Sequence, residues 1–259
     1  MEKRFMGKRY AETCKVSCYE TDRFMQLRPF SILNYAQEIA YVHSTGLGVG
    51  WNALMDVNLV WVLSRIRVKI LDFPHWRDEI EMETWHKGQD RMFSLRDFVI
   101  SDKKGNAKVL ITSSWLIIDV NTRRIHRFEN LMKHPDDVYE YIFNKDAIYE
   151  RADKILLPED MTLVKTREVV YSDVDFNGHV NNAKYIEWSE DIVPPQMQEK
   201  MRLSEFSIEF CHECRQGETI ELYMKICDVE ESTEKKVYVS GRREGKAIYS
   251  ALLKYVPVA

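Results

Sequence analysis

The pattern of apolar and polar positions predicts two helices in a chain that otherwise consists of strands. Apolar residues recur at three- and four-residue spacing through residues 29–42 and again through residues 182–192, which is the period of an amphipathic helix. A proline opens the first segment and Gly46 follows it, as is common at helix starts and ends. Asn181 or Asn182 is suited to be the N-cap of the second helix.

Alternating apolar and polar residues predict β-strands through most of the remaining chain. The clearest examples lie at residues 59–63, 79–85, 108–112, 219–224 and 236–240. Residues 102–105 and 242–245 each end in a glycine that can take the positive φ of a hairpin turn. The predicted fold class is therefore α+β, with antiparallel sheets.

The strand pattern occurs twice along the chain. Shifted by about 140 positions, residues 64–68 align with residues 204–208 and residues 78–82 with residues 218–222. The two helical segments also align, at a slightly larger shift. This self-similarity predicts a tandem duplication of a unit that has one helix and one antiparallel sheet.

We divide the chain according to this repeat. The first unit covers residues 1–133 and the second covers residues 163–259. The connector, residues 134–162, is rich in charged residues, and its sequence leaves open whether it forms a short helix or an ordered crossover.

Composition narrows the class of protein. Of 259 residues, 45% are hydrophobic and 30% are charged, which is typical of a folded globular protein. Lys and Arg number 37 against 41 Asp and Glu, so the net charge of −4 gives no overall field that attracts nucleic acid. The N-terminal residues lack an apolar signal core, and no apolar run approaches the ~20 residues of a membrane-spanning helix. Five cysteines without an export signal favour a reducing compartment. We expect a cytoplasmic protein with no membrane span and no nucleic-acid partner.

The strongest chemical signal is the segment DFNGHVNN, residues 175–182. The equivalent segment of the first unit, residues 22–29, keeps the leading aspartate but has neither the histidine nor the asparagines. A turn that only the fold requires should look similar in both copies, so the difference favours a function in the second. The alternative interpretation is that His179 and Asn181 only satisfy backbone groups at a helix end.

The residue types in this segment suit acyl-group chemistry. His179 can exchange a proton near neutral pH, and Asp175 could orient its ring or position a water. Asn177 can both donate and accept a hydrogen bond on a water or a thioester oxygen. The backbone at Gly178 and Val180 lies at the predicted helix start, where unpaired N–H groups stabilise an oxyanion.

A second candidate lies at Glu213 and Cys214, between two strands of the second unit. These residues align with Phe73 and Pro74 of the first unit, which cannot perform polar chemistry. A carboxylate in an apolar sheet would have a raised pKa and could act as a general base. Cys214 could be a nucleophile, or it could simply be a small buried residue. A zinc site at the Cys211–Cys214 pair is disfavoured because no histidine cluster completes it.

The segment YSDVDFNGHVNNAKYIEW, residues 171–188, resembles the active-site segment of hotdog-fold thioesterases. More specifically, it resembles the acyl-acyl-carrier-protein thioesterases of plant plastids and bacteria. The resemblance extends through most of the chain, at residues 61–68 (WVLSRIRV), 73–76 (FPHW), 83–85 (ETW), 122–125 (TRRI) and 209–214 (EFCHEC). Because the given sequence shows no plastid-type N-terminal extension, we expect the bacterial members to be the closer match.

The resemblance implies a tandem (double) hotdog, in which each long helix is wrapped by a curved antiparallel β-sheet. It also implies hydrolysis of the thioester that joins a fatty acyl chain to an acyl carrier protein, without a cofactor or metal. The positions that match the family's catalytic residues are Asp175, Asn177, His179, Glu213 and Cys214. The family has been described both with a Cys-His-Asn nucleophile and with these polar groups around a water. We favour water, with Glu213 as the base and Cys214 as a neighbour.

The resemblance also implies partners. The acyl carrier protein would present the chain on its phosphopantetheine arm, and the first, degenerate unit would line an apolar acyl-chain tunnel. Tunnel candidates, which are equally well ordinary core residues, are Met25, Leu33, Ile66 and Trp85. Candidates for a basic rim that meets the acidic carrier protein are Lys165, Arg167, Arg215, Arg242 and Arg243. The chain would be a monomer or a homodimer.

Three alternatives to this function remain open. An acyl-coenzyme A thioesterase shares the chemistry and differs in the group it recognises. A hotdog dehydratase would abstract a proton beside the carbonyl, which suits the asparagines and Glu213 less well than activation of water does. A non-catalytic acyl-binding hotdog should have lost the polar set from both copies.

Overall fold

The computed structural model describes residues 2–131 and 134–258. They divide into two compact units, the first formed by Met1–Ile66 and Leu71–Ala152, the second by Arg67–Ile70 and Asp153–Ala259. The predicted end of the first unit, at residue 133, lies outside the described residues. Among the described residues, no helix combines the length and apolar character that crossing a membrane requires.

The first unit packs a long helix against an antiparallel sheet. Its helices are α1 (Pro29–Gly46) and α2 (Trp51–Met55), and its strands are β1 (Lys3–Phe5), β2 (Arg9–Lys15), β3 (Leu59–Ile70, the last four residues of which are counted with the second unit), β4 (Glu79–Asp90), β5 (Phe93–Asp102), β6 (Ala107–Asp119) and β7 (Ile125–His126). The strands lie in the order β1-β2-β4-β5-β6-β3, and β7 pairs with β6.

The second unit repeats this arrangement. Its helices are α3 (Asn182–Asp191) and α4 (Pro195–Lys200), and its strands are β8 (Thr162–Glu168), β9 (Met201–Phe210), β10 (Thr219–Asp228), β11 (Lys235–Arg243) and β12 (Lys246–Pro257). The order β8-β10-β11-β12-β9 matches the order β2-β4-β5-β6-β3 of the first unit. The two units therefore have the predicted architecture of one helix and one antiparallel sheet.

Helix α1 is longer than its periodicity predicts, and Gly46 is its last residue rather than the residue after it. A glycine at this position allows Phe5 to approach closely, because a Cβ at Gly46 would lie 2.0 Å from the Phe5 ring. The same ring packs 4.9 Å from that of Tyr10. Strand β1 thereby closes over the C-terminal end of α1.

Helix α3 starts where the sequence predicts. Asn181 is its N-cap, and the side-chain Oδ1 of Asn181 accepts a hydrogen bond from the N–H of Ala183 at 2.9 Å. Its buried face carries Tyr185 and Trp188, and the Tyr185 ring lies 4.7 Å from that of Tyr249 on β12. Burial of such aromatic side chains, at roughly 2 kcal/mol each, holds the helix to the sheet.

The connector contains a short 3₁₀ helix, Pro135–Glu140, and then an irregular segment that packs on β4. The indole Nε1 of Trp85 donates to the carbonyl of Lys145 at 2.6 Å, and Nζ of Lys87 donates to that of Ile148 at 2.7 Å. Lys87 also lies 3.3 Å from the fully buried carboxylate of Asp97. Both alternatives for the connector are thus partly realised, as a short helix followed by an ordered crossover.

The four tunnel candidates of the first unit do not share an environment. Leu33, Ile66 and Trp85 are buried, whereas the side chain of Met25 is exposed and belongs to the turn before α1. Burial of the first three is what ordinary core residues also show, so their part in a tunnel stays a prediction.

We expect Gly241→Ala to destabilise the second unit. A Cβ at Gly241 would lie 2.1 Å from the fully buried ring of Tyr249, its partner across β11 and β12. Overpacking of this kind costs about 1–3 kcal/mol. The measurement is the free energy of unfolding in denaturant, with Thr219→Ala on an exposed strand position as the control. Equal stabilities of the two variants would contradict the packing argument.

Candidate active site

The polar segment before α3 forms a tight turn that closes on itself. The N–H of Asp175 donates to the carbonyl of His179 at 2.8 Å, and the N–H of Gly178 donates to the carbonyl of Asp175 at 3.0 Å. The carboxylate of Asp175 accepts the backbone N–H of Asn177 at 2.8 Å and lies 3.3 Å from its side-chain Nδ2. The aspartate therefore orients Asn177.

The first unit forms the same turn from different residues. The N–H of Asp22 donates to the carbonyl of Gln26 at 2.9 Å, and the carboxylate of Asp22 accepts the N–H of Phe24 at 2.8 Å. Met25 takes the left-handed conformation, with a φ of 61°, that Gly178 takes with a φ of 77°. The turn itself is thus a property of the fold, and the aspartate at its start serves the turn in both units.

The loop between β9 and β10 holds the turn in place. The N–H of Val180 donates to the carbonyl of Cys214 at 2.9 Å. The corresponding bond of the first unit joins the N–H of Leu27 to the carbonyl of Pro74 at 2.8 Å. The sequence alignment of Cys214 with Pro74 is therefore reproduced by equivalent hydrogen bonds.

These bonds require a correction to the predicted oxyanion donors. The N–H of Gly178 is used within the turn, and the N–H of Val180 is used by the loop. A donor that already has a backbone acceptor is not open to an oxyanion. In the described part of the chain, the nearby backbone N–H groups that lack an acceptor are those of His179 and Asn182. Asn182 is the first residue of α3, where the helix dipole adds positive potential.

The turn and the loop bring His179 and Glu213 together. Nε2 of His179 lies 3.5 Å from Oε2 of Glu213, and both side chains are partly exposed, by 25% and 37%. Glu213 lies between β9 and β10, as the sequence predicts, but in an exposed loop rather than in apolar surroundings. Its counterpart Phe73 is buried in the first unit. Only the second unit has an acid and an imidazole facing each other at this position.

Cys214 has a different environment from its neighbour. Its side chain is fully buried, and burial raises the pKa of its thiol to about 11, although Tyr185 donates a hydrogen bond that opposes the rise. A thiol with this pKa is protonated at neutral pH and is a poor nucleophile. The part of Cys214 that acts on the site is its backbone carbonyl.

A buried ion pair that the sequence interpretation missed supports the base of the turn. Asp173 accepts hydrogen bonds from Nη2 of Arg167 at 2.7 Å and from the N–H of Val170 at 3.0 Å. The Arg167 guanidinium lies 4.0 Å from the Trp188 ring. The carbonyl of Asp173 accepts the N–H of Asn181 at 2.9 Å and so fixes the start of α3.

A sequence signal for this support exists in the first unit. Ser17 and Glu20 have the spacing of a capping box, and the N–H of Ser17 donates to the Glu20 carboxylate at 2.7 Å. Asp173 occupies the equivalent place in the second unit, where the cap residue is Val170. Because valine has no side-chain acceptor, the motif is hidden there.

The five candidates for a basic rim divide by their contacts. Arg167 is paired with Asp173, Arg243 is paired with Glu218, and Arg242 lies over the Tyr223 ring at 4.3 Å. Lys165 and Arg215 are exposed. Arg167 is therefore part of the support of the turn rather than a surface group. In the described ranges, no group of His, Cys, Asp and Glu side chains is arranged to hold a metal ion.

Comparison with known families gives two matches that together cover most of the chain. Residues 7–135 match the acyl-ACP thioesterase N-terminal domain, and residues 158–255 match the acyl-ACP thioesterase C-terminal domain. The residues of the polar turn and of the Glu213 loop fall within the second match.

Relatives with assigned names agree with these matches. A palmitoyl-acyl carrier protein thioesterase of Gossypium hirsutum is 27% identical over 89% of this chain and 57% of its own length. The acyl-[acyl-carrier-protein] hydrolase FATB3 of Cuphea viscosissima is 29% identical over 83% of this chain and 54% of its own length. Both relatives are chloroplastic, and the chain spans little more than half of the length of each.

Solved structures share the fold. An acyl-ACP thioesterase of Bacteroides thetaiotaomicron superposes with a TM-score of 0.84 at 24% identity, covering 96% of this chain and 98% of that one. The 12:0-ACP thioesterase of Umbellularia californica superposes with a TM-score of 0.85 at 22% identity, covering 97% and 95%. The chain therefore has the predicted double hotdog fold.

We expect Cys214 to resist thiol reagents while Cys18 and Cys211, which are exposed, react. With a pKa of about 11, on the order of one Cys214 thiol in ten thousand is ionised at pH 7, and the thiolate fraction rises as the pH approaches 11. Alkylation followed by peptide mapping gives the rate at each cysteine. Labelling of Cys214 as fast as Cys211 at pH 7 would contradict the buried, protonated thiol.

Proposed function

The chain belongs to the acyl-ACP thioesterase family, and on that premise we propose that it hydrolyses the thioester of a fatty acyl chain carried by acyl carrier protein. The products are a free fatty acid and the carrier protein with its free thiol. The observation that carries the proposal is the 3.5 Å approach of His179 to Glu213, which the second unit has and the first does not.

The proposed step is direct attack by water. The Glu213 carboxylate takes a proton from a water molecule as the water oxygen bonds to the thioester carbonyl carbon. His179, which faces Glu213, receives this proton from Glu213 and donates it to the thioester sulfur as the C–S bond breaks. Proton and leaving group balance, and no acyl-enzyme is formed.

The backbone at the start of α3 is proposed to stabilise the oxyanion. The N–H groups of His179 and Asn182 replace Gly178 and Val180 in this role, because the latter two already have acceptors. Asn177, whose side-chain amide is held by Asp175, is placed to bind the water or the thioester oxygen. Asp175 acts through Asn177 and is a positioning residue.

Burial of Cys214 supports water over a thiol as the nucleophile. A thiol with its pKa raised to about 11 would have to lose its proton to a base before it could attack. Glu213, the adjacent residue, is solvent-accessible and faces His179, so a water molecule at the site has a base beside it.

The proposal also covers the group that carries the acyl chain and the compartment in which the reaction takes place. Acyl carrier proteins are acidic, and the exposed Lys165 and Arg215 are the remaining candidates for contact with one. Release of fatty acid from the carrier protein would serve fatty acid biosynthesis. The proposed compartment is the cytoplasm, which rests on the reducing environment that five free cysteines favour.

We expect Glu213→Gln and His179→Gln each to lower kcat/KM about 100-fold or more, because each removes a proton-transfer group. The measurement is thiol release from acyl-ACP, with circular dichroism to show that the fold is kept. The matched controls are Glu159→Gln and His212→Gln, which change exposed residues of the same types. Full turnover by both site variants would exclude the proposed pair.

We expect Cys214→Ala to keep most of the activity, within about tenfold of the unchanged protein, since its backbone carbonyl remains to hold Val180. The rate is measured in the same thiol-release assay, together with the free energy of unfolding. A correctly folded Cys214→Ala with no turnover would assign the attack to the thiol instead.

The same assay, run on different substrates, tests whether the protein recognises acyl carrier protein or coenzyme A. Carrier-protein and coenzyme A thioesters of equal, graded chain length separate recognition of the carrier from recognition of the acyl chain. A kcat/KM at least tenfold higher for carrier-protein thioesters supports the proposal. Equal or higher values for coenzyme A would assign the chain to acyl-CoA hydrolysis.

A further inference from the structure

The loop that carries Glu213 closes on the carboxylate of Glu218. Oε2 of Glu218 accepts the backbone N–H of Arg215 at 2.9 Å, and the backbone N–H of Glu218 donates to the carbonyl of Arg215 at 3.2 Å. The Cys214 thiol is also hydrogen-bonded to this carboxylate. Glu218 therefore holds the part of the loop that follows Glu213.

The first unit closes the equivalent loop in the same way. Oδ2 of Asp78 accepts the N–H of His75 at 2.8 Å, and the N–H of Asp78 donates to the carbonyl of His75 at 3.0 Å. In the alignment of the two units, Asp78 corresponds to Glu218 and His75 to Arg215. An acid that closes this loop is thus a property of the fold.

Arg243 adds a contact that distinguishes the second unit. It is the last residue of β11, and its Nη1 donates to the carbonyl of Glu213 at 3.4 Å. The same nitrogen forms an ion pair with the carboxylate of Glu218. One guanidinium thereby joins the main chain of Glu213 to the acid that closes the loop.

An aspartate stands at this position in the first unit. Strand register places Asp102, the last residue of β5, where the second unit has Arg243. The register follows from two aligned cross-strand pairs, Glu81–Ser101 and Glu221–Arg242. The Asp102 carboxylate accepts the N–H groups of Lys104 and Asn106, both at 2.9 Å, within its own hairpin turn. An ionised carboxylate cannot donate to a loop carbonyl, so the first unit does not share the contact.

The side chain at the position of Glu213 explains why the two loops are held differently. Phe73, its counterpart, is buried, and burial of an aromatic ring fixes the loop of the first unit to its core. The side chain of Glu213 is 37% exposed, so burial fixes its position less. The hydrogen bond from Arg243 restrains the main chain at the point where that burial is lost.

We propose that Arg243 is a positioning residue, which holds the main chain of Glu213 so that its carboxylate faces Nε2 of His179. Proton transfer requires the reacting groups to lie within hydrogen-bond reach, and a small displacement lowers the rate strongly. For the role of Glu213 as the base, this rests on the proposed function. Arg243 then belongs to the support of the site rather than to a surface that meets a carrier protein.

Steady-state kinetics with acyl-ACP test this role. Arg243→Gln should lower kcat about tenfold or more and change KM by less than about twofold, because it displaces the base without removing a substrate contact. The matched control is Arg242→Gln, since the neighbouring Arg242 lies over the Tyr223 ring and should leave kcat within about twofold. A normal kcat for Arg243→Gln, or an equal fall in Arg242→Gln, would overturn the proposal.

Thermal unfolding of the same variants separates positioning from stability. The side chains of Arg243 and Glu218 are each 32% exposed, and exposed ion pairs contribute little to stability. The unfolding midpoint of Arg243→Gln should therefore stay close to that of Arg242→Gln. A fall in kcat that is accompanied by a large fall in the midpoint, in Arg243→Gln alone, would assign Arg243 to the stability of the unit instead.

A double variant shows whether Arg243 acts through Glu213. In Glu213→Gln the base is already lost, so adding Arg243→Gln should lower kcat by no more than about twofold further. A further fall of about tenfold would show that Arg243 acts on another group and would contradict the positioning of Glu213.

Hydrogen exchange measures the restraint on the loop without reference to turnover. Amide exchange in residues 211–218 should be faster in Arg243→Gln than in the unchanged protein, and it should not change in Arg242→Gln. If the unchanged protein hydrolyses no thioester, the proposed function fails, and the exchange rates still decide whether Arg243 holds the loop. Equal loop exchange in Arg243→Gln and the unchanged protein would overturn the inference.

Discussion

The candidate site depends on one backbone hydrogen bond, from the N–H of Val180 to the carbonyl of Cys214. It joins the polar turn before α3 to the loop between β9 and β10, and so it sets the separation of His179 and Glu213. Because both groups belong to the main chain, the bond tolerates any residue at these positions except a proline in place of Val180. The side chains around it are therefore free to change while the geometry is kept.

The first unit has the same backbone geometry but lacks the proposed catalytic side chains. Its turn starts with Asp22, whose carboxylate accepts the N–H of Phe24 as that of Asp175 accepts the N–H of Asn177, and the equivalent of Glu213 is the buried Phe73. An aspartate found in both units is explained by the turn alone. The difference between the units therefore rests on the histidine and the glutamate. The proposed catalytic unit thus differs from the other in its side chains, while the main chain of the turn follows the same path in both.

Local features of the site could be predicted from the sequence, and features set by tertiary partners could not. The period of the apolar residues gave both helices, and the N-cap at Asn181 follows from residue type. The choice of Gly178 and Val180 as oxyanion donors failed because their acceptors are fixed by the folded turn and by the distant Cys214 carbonyl. The ion pair of Arg167 with Asp173 was also hidden, since the two side chains meet only in the folded unit.

The left-handed residue of the turn has a wider consequence. Met25 takes a conformation that costs a side chain about 1 kcal/mol, and Gly178 takes it without that cost. A chain that already tolerates Met25 there does not need to gain a glycine before it gains a histidine. After a duplication, each substitution toward an active unit could thus be accepted separately. The fold therefore contains this turn twice, and only the second copy carries the histidine and the glutamate.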